Sequence, residues 1–421
     1  MPTLEFKGKQ FVYSHHLSVP FRELKIDSEK SLPKSDSKPS LDDNLIIHGD
    51  NLEGLKALLP THAGKVDCIF IDPPYNTGNE GWCYNDNVRS PLMQEWLKKA
   101  ANPVDKEDLE RHDKWLCMMW PRVQLLRELL SEEGSIWMTL DDNEIHRARM
   151  LFDEVFGSDN FVACCAWEKT YTPKSNGRVI STDHDYVLIY SKTQAFVEHG
   201  WNYLSKNEEQ VSRYTNPDND PKGPWRTYPL DVRTEDSAKR EKYRYPITLP
   251  SGRVVKPAKG RHWALPEHEF EKQRAAGEIY FGKSGDALPN KKSYYNPDED
   301  KGVIARSWWS YKETKGNQDA KKKLLEIFGE DESDFITPKP YQLIERVLEI
   351  ATDKDSLILD SFAGSGTTAQ AVLEANKKDG GSRKFILIEC EDYADHVTAE
   401  RVRRVISGYS FGYVPFNCCY T

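Results

Sequence analysis

Ser356-Leu357-Ile358-Leu359-Asp360-Ser361-Phe362-Ala363-Gly364-Ser365-Gly366-Thr367-Thr368 reads as a strand, a glycine turn and the opening of a helix. The run from Ser356 to Asp360 is strand-like, and Thr368 to Asn376 has helical spacing. Gly364 and Gly366 permit positive φ and let a ligand approach the backbone closely. The helix N-terminus beyond them attracts an anion. A phosphate-binding P-loop needs a lysine after its last glycine, where Thr367 stands, which argues against a nucleotide-hydrolysing motor. A dinucleotide fingerprint needs a third glycine where Ala369 stands, so the loop by itself is also compatible with a plain tight turn. The next strand, Phe385 to Glu389, ends in an acid roughly twenty residues on, the interval at which a carboxylate accepts ribose hydroxyls.

Outward from this unit the pattern repeats. Tyr341 to Ala351 precedes it as an amphipathic helix, and Tyr393 to Ile406 follows as another. Near the other end, Leu45 to His48 and Val66 to Ile71 read as strands flanking a helix from Asn51 to Leu59. Asp50, just after the first of these strands, faces the crevice at the strand ends. A helix over Lys114–Leu130, a strand over Ser135–Leu140 and a helix over Asn143–Phe156 come next. Phe161 to Trp167 and Tyr186 to Tyr190 are expected to pair as an antiparallel edge. The class is α/β with a mostly parallel sheet. Between Lys192 and Thr337 the periodicity fades, and Pro, Asn, Tyr, Trp, Lys and Arg dominate. The expected divisions are a polar lead-in at 1–43, core halves at 44–191 and 338–421, and a separate irregular module at 192–337.

Asp72-Pro73-Pro74-Tyr75 ends the strand from Val66 to Ile71, because prolines cannot continue a ladder. These residue types fit one chemistry. An exocyclic amine on a base is a poor nucleophile, since its lone pair is delocalised into the ring. Two acceptors aimed at its hydrogens, the Asp72 carboxylate and the Pro73 carbonyl, free that lone pair and stabilise positive charge in the transition state. Pro73 and Pro74 fix the backbone and carry no N–H of their own. Tyr75 offers a face on which an extruded base stacks.

With 421 residues, 38% of them hydrophobic, the chain has ample material for a packed core and is too apolar for disorder. No run of eighteen apolar residues is present, and the N-terminus lacks a signal-peptide pattern, so no membrane span is expected. The eight cysteines form no C-x-x-C array, which argues against a structural zinc. Cys68, Cys117 and Cys390 read as core thiols, and a reducing cytoplasm fits this usage. The apolar end Phe416-Asn417-Cys418-Cys419-Tyr420-Thr421 suggests a native chain that continues past residue 421. The net charge of -9 is unevenly spread. Residues 1–160 hold 19 basic and 28 acidic groups, whereas 221–261 hold 11 basic against 4 acidic, a local +7. A solvated basic loop region would give the same count.

With both motifs in view, the sequence resembles the β-class amino-methyltransferases of DNA, closest to modification subunits of type III restriction systems and their orphan relatives. In that class the catalytic motif precedes the cofactor motif, as Asp72 precedes Gly364. The resemblance covers about Asn44 to Gly408. It implies a circularly permuted Rossmann-like methyltransferase sheet with an inserted target-recognition domain. It implies S-adenosylmethionine held by Asp50, Asp72, Lys339, Pro340, Asp360, Phe362, Ala363, Gly364, Gly366, Thr367, Thr368 and Glu389. Asp50 would lie near the cofactor adenine, and Phe335-Ile336-Thr337-Pro338-Lys339-Pro340 would help hold the methionine part. Asp72 at the head of the tetrapeptide points to adenine N6 over cytosine N4. The middle module is then the target-recognition domain, with Arg226, Lys239, Arg240, Lys242, Arg244, Lys291 and Lys292 on double-stranded DNA, beside aromatic residues such as Trp225, Tyr228, Tyr243 and Tyr245. The implied partners beyond DNA are a second copy in a homodimer and a restriction subunit, in a nucleoid-associated, prokaryotic or phage setting. A cytosine-N4 or RNA methyltransferase, and a non-catalytic DNA-binding subunit, are the competing readings.

Overall fold

The apolar runs read as strands assemble into one sheet, buried most completely over Val66–Ile71 and over 135–140. A computed structural model describes residues 3–32, 38–78, 86, 93, 95, 110–172, 179–233, 241–329 and 337–409. The chain divides into two units, Met1–Asn202 with Ile304–Thr421, and Tyr203–Val303. In chain order the first strands are β1 (Leu45–His48), β2 (Val66–Ile71), β3 (Leu130–Leu140), β4 (Phe161–Glu168) and β5 (His184–Ser191). Within the second unit follow β6 (Trp225–Pro229), β7 (Asp231–Arg233), β8 (Ile247–Thr248), β9 (Val254–Val255), β10 (Arg261–Trp263), β11 (Ile279–Tyr280) and β12 (Asn290–Tyr294). The chain then returns to the first unit with β13 (Trp308–Trp309), β14 (Leu357–Asp360) and β15 (Lys384–Glu389).

The first unit holds an eight-stranded sheet in the order β1-β15-β14-β2-β3-β5-β4-β13. β1, β15, β14, β2 and β3 are mutually parallel, and β5 runs antiparallel between β3 and β4. Counted from β14, which carries the glycine turn, the five parallel strands stand in the doubly wound order 3-2-1-4-5. The first two of these in that count come last in the chain, so the sheet is a circularly permuted Rossmann-like one. Its switch point lies between β14 and β2, paired through Ile358↔Cys68 and Leu359↔Ile69. Ligands of such sheets bind outside the carboxyl ends of the strands at that point. Both motifs leave from there.

β2 is buried along nearly its whole length, with Val66, Cys68, Ile69 and Ile71 fully covered. The helix Arg111–Leu129 lays Trp115, Leu116, Met119, Trp120, Val123 and Leu126 into the same core and is enclosed on nearly every side from Lys114 to Val123. Burying each such large apolar side chain contributes about 1.5–3 kcal/mol.

Several expectations are corrected. The lead-in of 1–43 is not only polar: Leu4, Val12 and Val19 belong to the core, and the Tyr13 ring stacks on Trp120 at 5.6 Å. β4 is not the sheet edge, because Trp308–Trp309 pairs outside it and Trp309 stacks on Trp137 at 6.2 Å. The middle unit spans Tyr203–Val303 and not 192–337. The helix Asn317–Phe328 belongs to the first unit, where Leu324, Ile327 and Phe328 pack with Val397; its apolar stripe was masked by the lysines between. Cys68 and Cys117 are buried, but Cys390 is exposed because it follows the end of β15. The second unit is built around its own core of Leu230, Tyr245, Ile247, Leu249, Trp263 and Phe270, with β11, β12 and β6 forming an antiparallel sheet. Among the described residues no helix is long and apolar enough to cross a membrane. Among them, too, no group of three or more His, Cys, Asp and Glu is arranged to hold a metal ion.

Candidate active site

Asp72 leaves the carboxyl end of β2 and is held from two sides. Thr139, near the end of β3, donates its hydroxyl to Oδ1. Lys339 Nζ lies 2.5 Å from Oδ2 and 4.8 Å from the centroid of the Tyr75 ring. The rest of the loop is tethered as well. The Trp115 indole donates to the Pro74 carbonyl at 2.7 Å. Asn76 sits at φ 60°, a left-handed conformation that asparagine tolerates better than most side chains, and its Nδ2 donates to Glu144 at 2.5 Å. The Pro73 carbonyl has no hydrogen-bond donor among the described residues. The tetrapeptide thus presents one carboxylate and one free carbonyl on a backbone fixed at both ends.

Glu144 is fully buried, and burial pushes its carboxyl up to about 8. His112 Nδ1 lies 2.5 Å from its Oε1, and burial lowers that imidazole to about 4. The dry site drives both groups toward their neutral forms, so the contact is a neutral hydrogen bond more than an ion pair.

The glycine turn after β14 is held from within and behind. Asp360 accepts from Phe362 N at 3.0 Å and from the Thr368 hydroxyl at 2.5 Å. Burial, reinforced by the charges of Asp72 and Glu389, raises it to about 7. Gly364 and Gly366 have φ of 52° and 76°, and a Cβ on Gly366 would stand 3.0 Å from the Thr398 carbonyl. Glu389, expected to accept ribose hydroxyls, accepts backbone N–H groups from Gly364, Cys390 and Glu391 at 2.7–3.1 Å, so its carboxylate also shapes the turn. Ala363, Thr367 and Thr368 are buried in the turn and Phe362 is half-buried. Asp50 caps the helix Asn51–His62 through Leu52 N and Glu53 N, with Arg122 3.6 Å away. Lys339 lies against Asp72, both of them expected among the residues that hold the cofactor. Pro340 stands directly before the helix Tyr341–Ala351. Phe335 and Ile336 lie outside the described residues.

Sequence reasoning missed the supporting residues. Arg401 is completely buried, and its guanidinium reaches Ser365 Oγ at 2.8 Å, Thr367 Oγ1 at 2.7 Å and Gln370 Oε1 at 2.8 Å. Arg122 joins Asn51 at 2.5 Å to Asp86 at 2.7 Å, and Asn51 in turn donates to the Ser361 carbonyl at 2.8 Å. Trp115, Asn76, Thr139 and Glu144 carry no motif of their own. One signal was available: Asp141-Asp142-Asn143-Glu144 follows β3, whose carboxyl end opens on the same crevice.

In the second unit the basic residues fare differently. Lys242 is exposed, and Arg244 and Lys291 are half-buried. Arg226 lies over the rings of Tyr214 and Tyr228 at 5.3 and 4.6 Å. Lys292 is corrected: it is buried between Asp218 and Asp220, each at 2.6 Å, so its charge is neutralised within the unit. Trp225 and Tyr245 are core residues, not exposed stacking faces. Lys239 and Arg240 lie outside the described residues.

Residues 66–400 match the family described as DNA methylase. Over 383 residues the chain is 34% identical to the Mod subunit of the StyLTI type III restriction-modification enzyme of Salmonella typhimurium, covering 86% of this chain and 57% of that protein. It is 32% identical to the EcoPI Mod subunit of Escherichia phage P1, covering 88% and 60%. The chain therefore spans about three fifths of these Mod relatives. It is 31% identical to the type II methyltransferase M.KpnI of Klebsiella pneumoniae, covering 87% of this chain and 84% of that one.

Proposed function

Because this chain belongs to the DNA methylase family, we propose that it transfers a methyl group from S-adenosylmethionine to the N6 amine of an adenine extruded from double-stranded DNA. The observation that carries the reading is the Asp72 carboxylate and the free Pro73 carbonyl at the end of β2, next to the glycine turn of β14 across the switch point. The cofactor's adenosyl and methionine parts fit the turn. Gly366 leaves no room for a Cβ beside the Thr398 carbonyl, which keeps the turn tight enough to cradle a ligand on its backbone, and Ser361 Oγ is a buried polar atom without a partner. Phe362, Ala363 and the opening of the helix Thr367–Asp379 would line that cradle, Asp50 lies near its rim, and Glu389 and Asp360 hold its shape. When bound, the cofactor supplies the electrophilic sulfonium methyl.

The chain's own residues then orient the amine. Asp72 and the Pro73 carbonyl accept its two hydrogens, and Tyr75 supports the ring. As charge grows on nitrogen, Asp72 stabilises it, so its contribution is realised in the transition state. Asp72 at the head of the tetrapeptide favours adenine over cytosine. The second unit would bind the duplex through Arg226, Lys242, Arg244 and Lys291, with Lys239 and Arg240 alongside. Likeness to Mod subunits supports a homodimer joined by a restriction subunit in the cytoplasm of a prokaryote or phage-infected cell.

The test is incubation with duplex DNA and labelled S-adenosylmethionine, followed by digestion to nucleosides. N6-methyladenine is the expected product. Asp72→Ala should leave cofactor affinity intact and hold turnover below about a tenth of normal, a loss above ~1.4 kcal/mol. N4-methylcytosine would move the substrate to cytosine, and unlabelled DNA would overturn the reading.

A further inference from the structure

We propose that Lys339 is a placeholder for the target amine, its ammonium filling the subsite between Asp72 and the Tyr75 ring until an incoming base displaces it. This rests on the methyltransferase reading above. A target amine needs an acceptor for its hydrogens and a ring face beneath its base. Lys339 Nζ holds both, 2.5 Å from Asp72 Oδ2 and 4.8 Å from the Tyr75 centroid. A base stacked on Tyr75 with its amine on Asp72 would meet the ammonium head-on.

The geometry lets the lysine leave without dismantling the site. Thr139 keeps Asp72 oriented through the other oxygen, Oδ1. Pro338 and Pro340 flank Lys339 and stiffen its backbone, so the four-carbon side chain moves and the main chain stays. A second anion is at hand: Asp185, bonded to Lys169 at 2.5 Å, also feels the charge of Lys339.

The exchange has an electrostatic consequence. The Lys339 and Asp72 side chains are 11% and 23% exposed, so the carboxylate has little water around it. A carboxylate left without a counter-charge in such a place is costly. The ammonium supplies that charge while no base is present. The incoming amine is neutral and becomes positive only as the methyl arrives. Displacing Lys339 therefore leaves Asp72 under-compensated in the ground state and matched again in the transition state, the differential on which catalysis depends.

The experiment uses the whole chain and a duplex carrying 2-aminopurine at the methylated position, whose fluorescence rises when the base leaves the stack. Wild-type methylation of the corresponding adenine duplex is measured first. If no DNA is methylated, the functional reading fails and this inference with it. If DNA is methylated, Lys339→Met should strengthen the extrusion signal and tighten DNA binding by about tenfold. Affinity for S-adenosylhomocysteine should be unchanged. Lys339→Arg, which keeps a cation within reach of Asp72, should behave as wild type. Lys339→Gln, neutral but polar, is the second variant should methionine fail to fold, and it should match the gain expected of Lys339→Met. An extrusion signal unchanged or weakened in the neutral variants overturns the proposal. So does a loss of cofactor affinity without gain in base entry, which would return Lys339 to the cofactor pocket.

Discussion

The indole of Trp115 donates to the carbonyl of Pro74 at 2.7 Å, while the carbonyl one residue earlier, on Pro73, has no donor among the described residues. One carbonyl of the tetrapeptide is thereby fixed to the helix Arg111–Leu129, and the other is the one to which the proposed mechanism assigns the target amine. The consequence is testable. Trp115→Phe keeps the aromatic packing and removes the donor, leaving a carbonyl unsatisfied at a cost of about 1–3 kcal/mol. Turnover should fall by roughly tenfold or more, since the loop loses its aim, whereas affinity for S-adenosylhomocysteine should hold. Unchanged turnover in the folded variant would show that the prolines alone set the loop.

Gly366 stands in the turn proposed to hold the cofactor. Its φ of 76°, and the 3.0 Å that would separate a Cβ at this position from the Thr398 carbonyl, exclude a branched side chain. Gly366→Val should lose more than about tenfold in cofactor affinity by calorimetry. Retention of wild-type affinity in a folded protein would mean the turn is not where the cofactor binds.

Glu144 predicts a pH dependence of stability. Its carboxyl stands at about 8 in the folded chain against an ordinary 4.5, because it is buried. Between those values the folded chain keeps the proton and the unfolded chain has lost it. The group's contribution to stability is therefore full below about 4.5 and declines as pH rises toward 8. Glu144→Gln keeps an acceptor for Asn76 out of the titration, if the amide turns its oxygen to Nδ2. Its denaturant midpoint, compared with wild type from about pH 5 to about pH 8.5, should fall less steeply with pH. Identical slopes for the two proteins would refute the buried-acid assignment.

The second unit makes a contrast between its lysines and arginines. Lys242 is exposed and Arg244 half-buried, whereas Lys292 is locked between Asp218 and Asp220. Replacing Lys242 and Arg244 by Ala should reduce the salt slope of DNA binding by about 0.9 for each phosphate no longer neutralised. Lys292→Ala should leave the slope alone and lower the melting temperature, since two carboxylates lose their partner. A slope altered by Lys292→Ala and not by the pair would move the DNA surface to β12.

The sequence alone determined the sheet and where its two motifs leave it. Alternating apolar runs and amphipathic stripes are local signals, and prolines and glycines stop elements where they stand. The strand ends at Asp72 and Asp360, and the split of the sheet around a middle module, were legible for that reason. The module's edges were not, because Asn317–Phe328 hides its apolar face among lysines and its place was decided by packing against Val397. Nor could spacing show which charges are already neutralised. Lys292 was expected on DNA and Lys339 at the cofactor, and only the fold brought Asp218 and Asp220 to the one and Asp72 to the other. Trp115, Thr139, Asn76 and Arg401 were equally invisible, and Glu144 was marked only by the acidic run that follows β3. Each acts through hydrogen bonds to residues distant in the chain or in a separate element, and such pairings exist only once the chain has closed on itself.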